Sequence, residues 1–306
     1  MSKPRVDWHG VQAVIVTPFS ADGALDEAAY RQVVEFVIDA GCHGVIAAGS
    51  TGEFYLMSDE ERGRVFDIAV DQAAGRVPVI GCPAAIRIED TIALTRRAAQ
   101  AGCAGVMALT PLYISLSDRE IVDYYRRLSG EGGLPIMLYN SPKLVNNTLP
   151  APLVSELLGL EQVVAIKDTT WDLYTTIELI RQCGPDLRVF VGLEDLFLPA
   201  LSVGAAGAVA MMPQVVGSMT ADLYDAARSG DHARAQALHL KLLRAYDIFK
   251  VGSGYVGIKE AMNLLGRPGG HSRPPMLPYT EEQKDQLREI LSDLGLLEPA
   301  AQKKSA

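Results

Sequence analysis

Four cysteines in 306 residues, Cys42, Cys82, Cys103 and Cys183, are too few and too scattered to staple a fold, and no CxxC pair occurs. That excludes a disulfide scaffold and favours reduced thiols. Cys42 and Cys103 each close an Ala-Gly-Cys helix end and read as buried structural residues. The five histidines, His9, His43, His232, His239 and His271, form no HExxH or other ligand spacing, so no metal site is expected. No apolar run approaches membrane-spanning length, and the opening MSKPRVDWHG lacks the apolar stretch of a signal peptide. A cytoplasmic protein is the expectation. Basic residues are in deficit, and the formal charge of −9 argues against nucleic acid or an anionic membrane as partner. A small anionic substrate stays open, because it responds to local donors rather than to net charge.

What is present is ordinary for a globular enzyme: 48% apolar and 21% charged residues, enough for a large core. Such a length holds two ordinary domains or one α/β barrel with an appendage, since barrels take about 250 residues. Apolar runs closed by turn residues predict strands at 11–16, 44–48, 77–81, 105–109, 135–139, 163–167, 188–192 and 208–212. Between them, amphipathic stretches predict helices at 27–40, opened by Asp26 and stopped by Gly41, and after Ser58, with Glu61 completing a capping box. Further helices are predicted at 89–101, from Ser117 or Asp118, and at 150–158, 173–183, 195–203 and 217–229. Eight strand–helix units in succession predict an α/β fold, a (β/α)8 TIM barrel, over 1–230. A doubly wound open sheet is the rival, but no GxGxxG follows the first strand. Beyond Gly230 only helices are predicted, at 233–249, 256–265 and 280–294, around a Gly/Pro-rich loop at 266–278. Residues 231–306 therefore read as a C-terminal helical extension packed on the barrel, with a tail that frays from Glu298.

The stretch with the most chemical content is 163–168, Val-Val-Ala-Ile-Lys-Asp, a wholly apolar run that ends in Lys167. Burying an ammonium is costly, and the cost is tolerated where a lysine of lowered pKa is itself the reagent. A strand-end lysine that snorkels to solvent is the structural alternative. In (β/α)8 barrels the active site lies at the carboxyl ends of the strands. Ser50 and Thr51 follow the second strand, Tyr113 the fourth, and Tyr139 and Lys167 end the fifth and sixth. Glu194 and Asp195 follow the seventh, and Met211 and Met212 end the eighth. Gly49-Ser50-Thr51-Gly52 offers two hydroxyls beside successive backbone N–H groups, which suits a carboxylate; it is not a Walker A loop, as no GK[ST] follows. Taken singly, the turn reads equally as tight geometry, and Tyr139 as a core tyrosine.

Taken together, GSTGE at 49–53, TPLY at 110–113, LYNSP at 138–142 and AIKDTT at 165–170 resemble the dihydrodipicolinate synthase/N-acetylneuraminate lyase family. The resemblance runs from Val11 to about Leu297. It implies a class I, pyruvate-type aldolase or lyase on this barrel, needing no cofactor or metal and usually tetrameric. It further implies Lys167 as the Schiff-base lysine and Tyr139 as the proton shuttle above it. Ser50 and Thr51, with Gly52, would hold the carboxylate of a 2-oxo acid, and Ser50 would also join the relay. Tyr113 would reach a neighbouring active site in a homo-oligomer. Leu144, Thr169, Gly192, Glu194, Asp195 and Met211 would surround the rest of the substrate.

Synthases acting on aspartate semialdehyde carry an arginine where this chain has Leu144. Lys143 beside it, expected to face the wrong way, would not replace a bidentate clamp. GSTGE, with serine first, leans toward the lyases, whereas Met211 stands where sialic acid lyases have a serine, and Trp171 adds an aromatic. Glu194 and Asp195 are expected to bond substrate hydroxyls. The expected activity is aldol cleavage, condensation or dehydration of a 2-keto-3-deoxy sugar acid or a related 2-oxo acid. The alternatives are 4-hydroxy-tetrahydrodipicolinate synthase, and a barrel that binds 2-oxo acids without turnover.

Overall fold

The computed structural model describes residues 3–298; the tail expected to fray beyond Glu298 lies outside the described residues. The strands are β1 (Gly10–Val14), β2 (Gly44–Ala47), β3 (Val79–Gly81), β4 (Gly105–Leu109), β5 (Ile136–Asn140), β6 (Val163–Asp168), β7 (Arg188–Val191) and β8 (Gly207–Ala210). Each pairs in parallel with the next, and β1 pairs with β8 to close the barrel. The reason is in the composition of the strands. Apart from Arg188 every strand residue is buried, because the barrel interior covers one face and helices cover the other.

The helices around the barrel are α1 (Glu27–Asp39), α2 (Asp59–Ala73), α3 (Ile88–Ala101), α4 (Asp118–Glu131), α5 (Ala151–Leu157) and α6 (Leu173–Cys183). The ring ends with α7 (Phe197–Ser202), α8 (Pro213–Val216) and α9 (Met219–Ser229). In α1 the buried side is Ala29, Tyr30, Val33, Val34 and Val37, at helical spacing, and the Asp26 side chain accepts from the Ala29 N–H. The box predicted at Ser58/Glu61 forms, and α4, expected to open at Ser117 or Asp118, starts at Asp118 with a box of its own between Ser117 and Glu120. Four further helices follow with no linker: α10 (His232–Ala245), α11 (Ile248–Val251), α12 (Gly254–Leu264) and α13 (Glu281–Asp293). Among the described residues no helix is long and apolar enough to cross a membrane.

Several expected elements end differently, each for a side-chain reason. The first strand stops at Val14, although the apolar run continues, and the Val16 N–H donates to Gln214 Oε1 at 2.9 Å instead. The eighth stops at Ala210 because the Met211 and Met212 amides donate to the Glu194 carboxylate at 2.8 and 3.0 Å. The helix expected at 195–203 is a 3-10 turn, Glu194–Leu196, followed by α7, whose first turn holds Pro199, where a missing N–H costs little. The helix expected at 217–229 starts at Met219 as α9, with the unexpected short α8 before Gly217, and that expected at 233–249 is split into α10 and α11 at Tyr246-Asp247.

Candidate active site

The carboxyl ends of the strands open onto a cavity of about 610 Å³, roofed by residues of α10 to α12. Lys167, on β6, stands in register with Tyr139 of β5 and Phe190 of β7, and its Nζ lies 4.3 Å from the centroid of the Tyr139 ring. Only 4% of Lys167 is exposed. Burial pulls its ammonium from 10.5 down to about 8, against the opposing pull of the Cys82 thiol and the Glu194 carboxyl. Gly192 is required beside it: a Cβ there would meet Thr169 Oγ1 at 2.0 Å and Lys167 Cε at 2.5 Å.

Burial pushes the Tyr139 phenol up to about 12, while the neighbouring Ser141, Ser50 and Thr169 hydroxyls work to lower it. Among the described residues none of those three hydroxyls closes a hydrogen bond of its own, although each is buried. Three orphaned hydroxyls around one phenol and one amine leave donors free for a ligand's oxygens. The end of β6 is locked by Asp168, whose carboxylate accepts from Thr176 Oγ1 at 2.8 Å and from Asn140 Nδ2 at 3.2 Å. Asn140 in turn accepts the Leu149 N–H at 3.0 Å, so the Tyr-Asn pair carries one residue for the cavity and one for its frame.

Of the residues picked from sequence, Ser50, Thr51, Tyr139, Leu144, Lys167, Thr169, Gly192, Asp195 and Met211 line the cavity. Three do not. Gly52 turns away, and its carbonyl accepts the Thr17 hydroxyl at 2.8 Å. Tyr113 is 85% exposed and stands outside its own protomer's cavity, with φ +74. Glu194, expected to meet substrate hydroxyls, is fully buried. Its carboxylate receives the Met211 and Met212 amides and the Tyr246 hydroxyl at 3.0 Å, and burial raises it to about 7. That is a correction: Glu194 ties β7 to β8 and to the end of α10, and has no oxygen left over for a ligand.

Lys143 also differs from expectation. It lines the cavity, with its ammonium 3.7 Å from the centroid of Trp171, which itself sits at φ +59. Sequence reasoning missed Ser141 as a lining residue, though its motif was in view, and missed the whole C-terminal contribution. Leu243, Tyr246, Phe249, Lys250 and Tyr255 all face the cavity. No local pattern marks them, because α10 to α12 carry the same amphipathic spacing as any packed helix.

The sequence matches the dihydrodipicolinate synthetase family over residues 7–294. It is 38% identical to an uncharacterized DapA-like lyase of Rhizobium meliloti over 96% of this chain and 98% of that one. It is 35% identical to the 4-hydroxy-tetrahydrodipicolinate synthase of Thermus thermophilus over 92% of this chain and 94% of that one. The fold overlays YagE, a prophage protein of the dihydrodipicolinic acid synthase family from E. coli K12 solved with pyruvate, at a TM-score of 0.92. Identity there is 31%, with 95% of this chain and all of the other covered. Barrel, motif order and near full-length identity agree, and the chain belongs to the dihydrodipicolinate synthetase family of lyases and synthases.

Proposed function

We propose that the protein is a Schiff-base lyase that cleaves, or in reverse builds, a 2-oxo acid through a pyruvate enamine on Lys167. The observation that carries this reading is the buried Lys167 amine, its pKa near 8, facing the Tyr139 phenol and the unpartnered hydroxyls of Ser50, Ser141 and Thr169. The neutral amine adds to the C2 carbonyl, and the carbinolamine loses water to give an iminium. With that electron sink in place, the C3–C4 bond breaks as the C4 hydroxyl gives up its proton. An aldehyde departs and the enamine remains. Protonation at C3 and hydrolysis then release pyruvate and the free lysine. Tyr139 protonates the leaving carbinolamine hydroxyl and accepts the proton of the C4 hydroxyl. Ser50 and Thr51 hold the substrate carboxylate. Dehydration of a 3-deoxy-2-oxo acid starts from the same iminium: Tyr139, left deprotonated by the carbinolamine step, takes a C3 proton to give an enamine of the whole substrate and returns it to the C4 hydroxyl, which departs as water.

The far half of the cavity favours a substrate with a mainly apolar or sparsely hydroxylated tail. Leu144, Trp171, Leu193, Met211, Leu243 and Phe249 give the cavity its apolar lining, beside the charged Lys143, Asp195, Asp247 and Lys250, and Glu194 is spent inside the wall. An aspartate semialdehyde synthase is the second reading, favoured by the relatives of that activity. Leu144 offers no guanidinium for that substrate's carboxylate. Tyr113, exposed on its own protomer, fits a homo-oligomer in which it reaches the neighbour. The four free, buried cysteines support a cytoplasmic setting.

Borohydride added with saturating pyruvate is expected to leave a reduced adduct on Lys167, found by peptide mass mapping. Because the neutral amine is the nucleophile, trapping should accelerate as pH rises through about 8. An unlabelled Lys167 under saturating pyruvate overturns the mechanism. Turnover of sugar-derived and aryl 2-oxo acids, sialic acid and aspartate semialdehyde, compared side by side, then fixes the tail; preference for aspartate semialdehyde would reverse the reading of Leu144. Tyr139→Phe is expected to keep the adduct and to lose roughly 10²-fold or more in kcat, because the phenol acts in proton transfer. Near-normal turnover in that variant removes Tyr139 from the proposed role.

A further inference from the structure

We propose that Lys143, laid on the face of Trp171, is the cation of a tail subsite that selects 2-oxo acids whose apolar chain ends in a second carboxylate. The proposal rests on the Schiff-base reading above and names the substrate class that the far half of the cavity fits.

The subsite is built where two loops meet. Lys143 lies in the loop after β5 and Trp171 in the loop after β6, and the Lys143 ammonium stands 3.7 Å from the centroid of the Trp171 ring. Both residues line the cavity that holds Lys167. The Leu144 and Val145 amides donate to the Ser141 carbonyl at 2.9 and 3.1 Å, closing a tight turn around Lys143. Beyond that turn, Asn147 Oδ1 accepts the Leu116 N–H at 2.7 Å and Asn147 Nδ2 donates to the Ile114 carbonyl at 2.9 Å. These bonds tie the loop to the one after β4, so Lys143 projects from a fixed backbone.

Trp171 is placed at an energetic cost. Its φ is +59, a region that costs a bulky residue about 1–3 kcal/mol. The residues on either side hold it there. Thr170 Oγ1 donates to Asp168 Oδ2 at 3.2 Å, and the Asp172 carboxylate accepts the Tyr174 N–H and the Thr175 hydroxyl, each at 3.0 Å. The ring is 46% exposed, so burial in the core does not offset that strain. What it meets instead is the Lys143 ammonium.

Among the described residues Lys143 has no carboxylate partner, unlike Lys250, which pairs with Asp247 at 2.6 Å. Arg244 holds Asp247 as well, at 2.6 Å, so that acid is already neutralised. Asp195, the other acid of the lining, follows β7, one strand further round the barrel than Trp171. Leu144, Leu193 and Met211 supply apolar surface in the same cavity. Against such surface an ammonium attracts a carboxylate more strongly than it does in water. A tail of methylenes that ends in a carboxylate satisfies both the wall and the charge. Aspartate semialdehyde carries an ammonium beside its carboxylate, which Lys143 repels, so the subsite does not favour that substrate.

The test measures borohydride trapping on Lys167 for 2-oxohexanedioate against 2-oxohexanoate, and for 2-oxoheptanedioate against 2-oxoheptanoate, with pyruvate as the reference without a tail. At one length or both, the dicarboxylate is expected to half-saturate trapping at a concentration lower by about fivefold or more, the size of one charge-assisted contact. Lys143→Met should erase that preference and leave the half-saturating concentration of pyruvate unchanged. A wild-type preference under about fivefold at both lengths overturns the proposal. A preference that survives in Lys143→Met also overturns it, because the cation then lies elsewhere. So does a loss matched by an equal shift for pyruvate, which marks a general disturbance of the cavity. Absence of pyruvate trapping in the wild type overturns the Schiff-base reading, and this proposal with it.

Discussion

Lys167→Met is expected to abolish turnover and, at the same time, to make the protein more stable at neutral pH. On the proposed chemistry the amine is the covalent nucleophile, and no neighbouring side chain takes over its bond to C2. The loss should reach roughly 10⁴-fold or more in kcat, with no borohydride adduct. The stability gain follows from the same burial that makes the amine reactive. A lysine whose pKa falls from 10.5 unfolded to about 8 folded binds its proton less well in the native state. That costs about 3 kcal/mol, in full below pH 8, and the cost vanishes as pH rises to 10.5. Wild-type stability should therefore climb between pH 8 and 10.5, while the methionine variant, which fills similar space with no charge, lacks that rise. Denaturant unfolding of both proteins at pH 7 and pH 10, at matched protein concentration, measures the effect. If the variant is less stable than wild type at pH 7, the amine is not the desolvated group described here.

Breaking the Glu53–Lys259 pair should be the most damaging single change outside the cavity. Both side chains are out of solvent, at 0% and 1% exposure. Removing one partner leaves the other charge buried and unmatched, a loss of about 3–5 kcal/mol. Lys259→Met strands the Glu53 carboxylate, and Glu53→Gln strands the ammonium, although His271 still accepts one of its hydrogen bonds. The double variant Glu53→Gln/Lys259→Met removes both charges and should recover much of the loss, because no isolated charge is left inside. Denaturation midpoints of the two single variants and the double variant form the cycle. Single variants within about 1 kcal/mol of wild type would show that water reaches the pair and screens it.

The barrel was legible in the sequence because its signals are local. Apolar runs of strand length alternated with amphipathic helices, and turn residues separated them. Lys167 and Tyr139 could be found because each ends a strand, and strand ends in this architecture share one face. Strand limits were less legible. Hydrophobicity continues through Val16 and Met212 although pairing has already stopped, since a buried loop needs apolar side chains as much as a strand does. The splitting of the helices expected at 195–203 and 233–249 depended on where Glu194 and Tyr246 met, which no periodicity records.

The amino-acid sequence alone determined the fold class, the strand that carries the lysine and the loop that carries the two hydroxyls. Tertiary structure decided what those residues face. It turned Glu194 from a surface for substrate into an internal tie, set Lys143 on Trp171 at the cavity wall, and brought Tyr255 into the same cavity as Ser50. The physical reason is range. Backbone periodicity is written within ten or so residues, whereas the contact that seats α12 on the Ser50 turn joins side chains 206 positions apart. A pairing at that separation exists only once the barrel has closed.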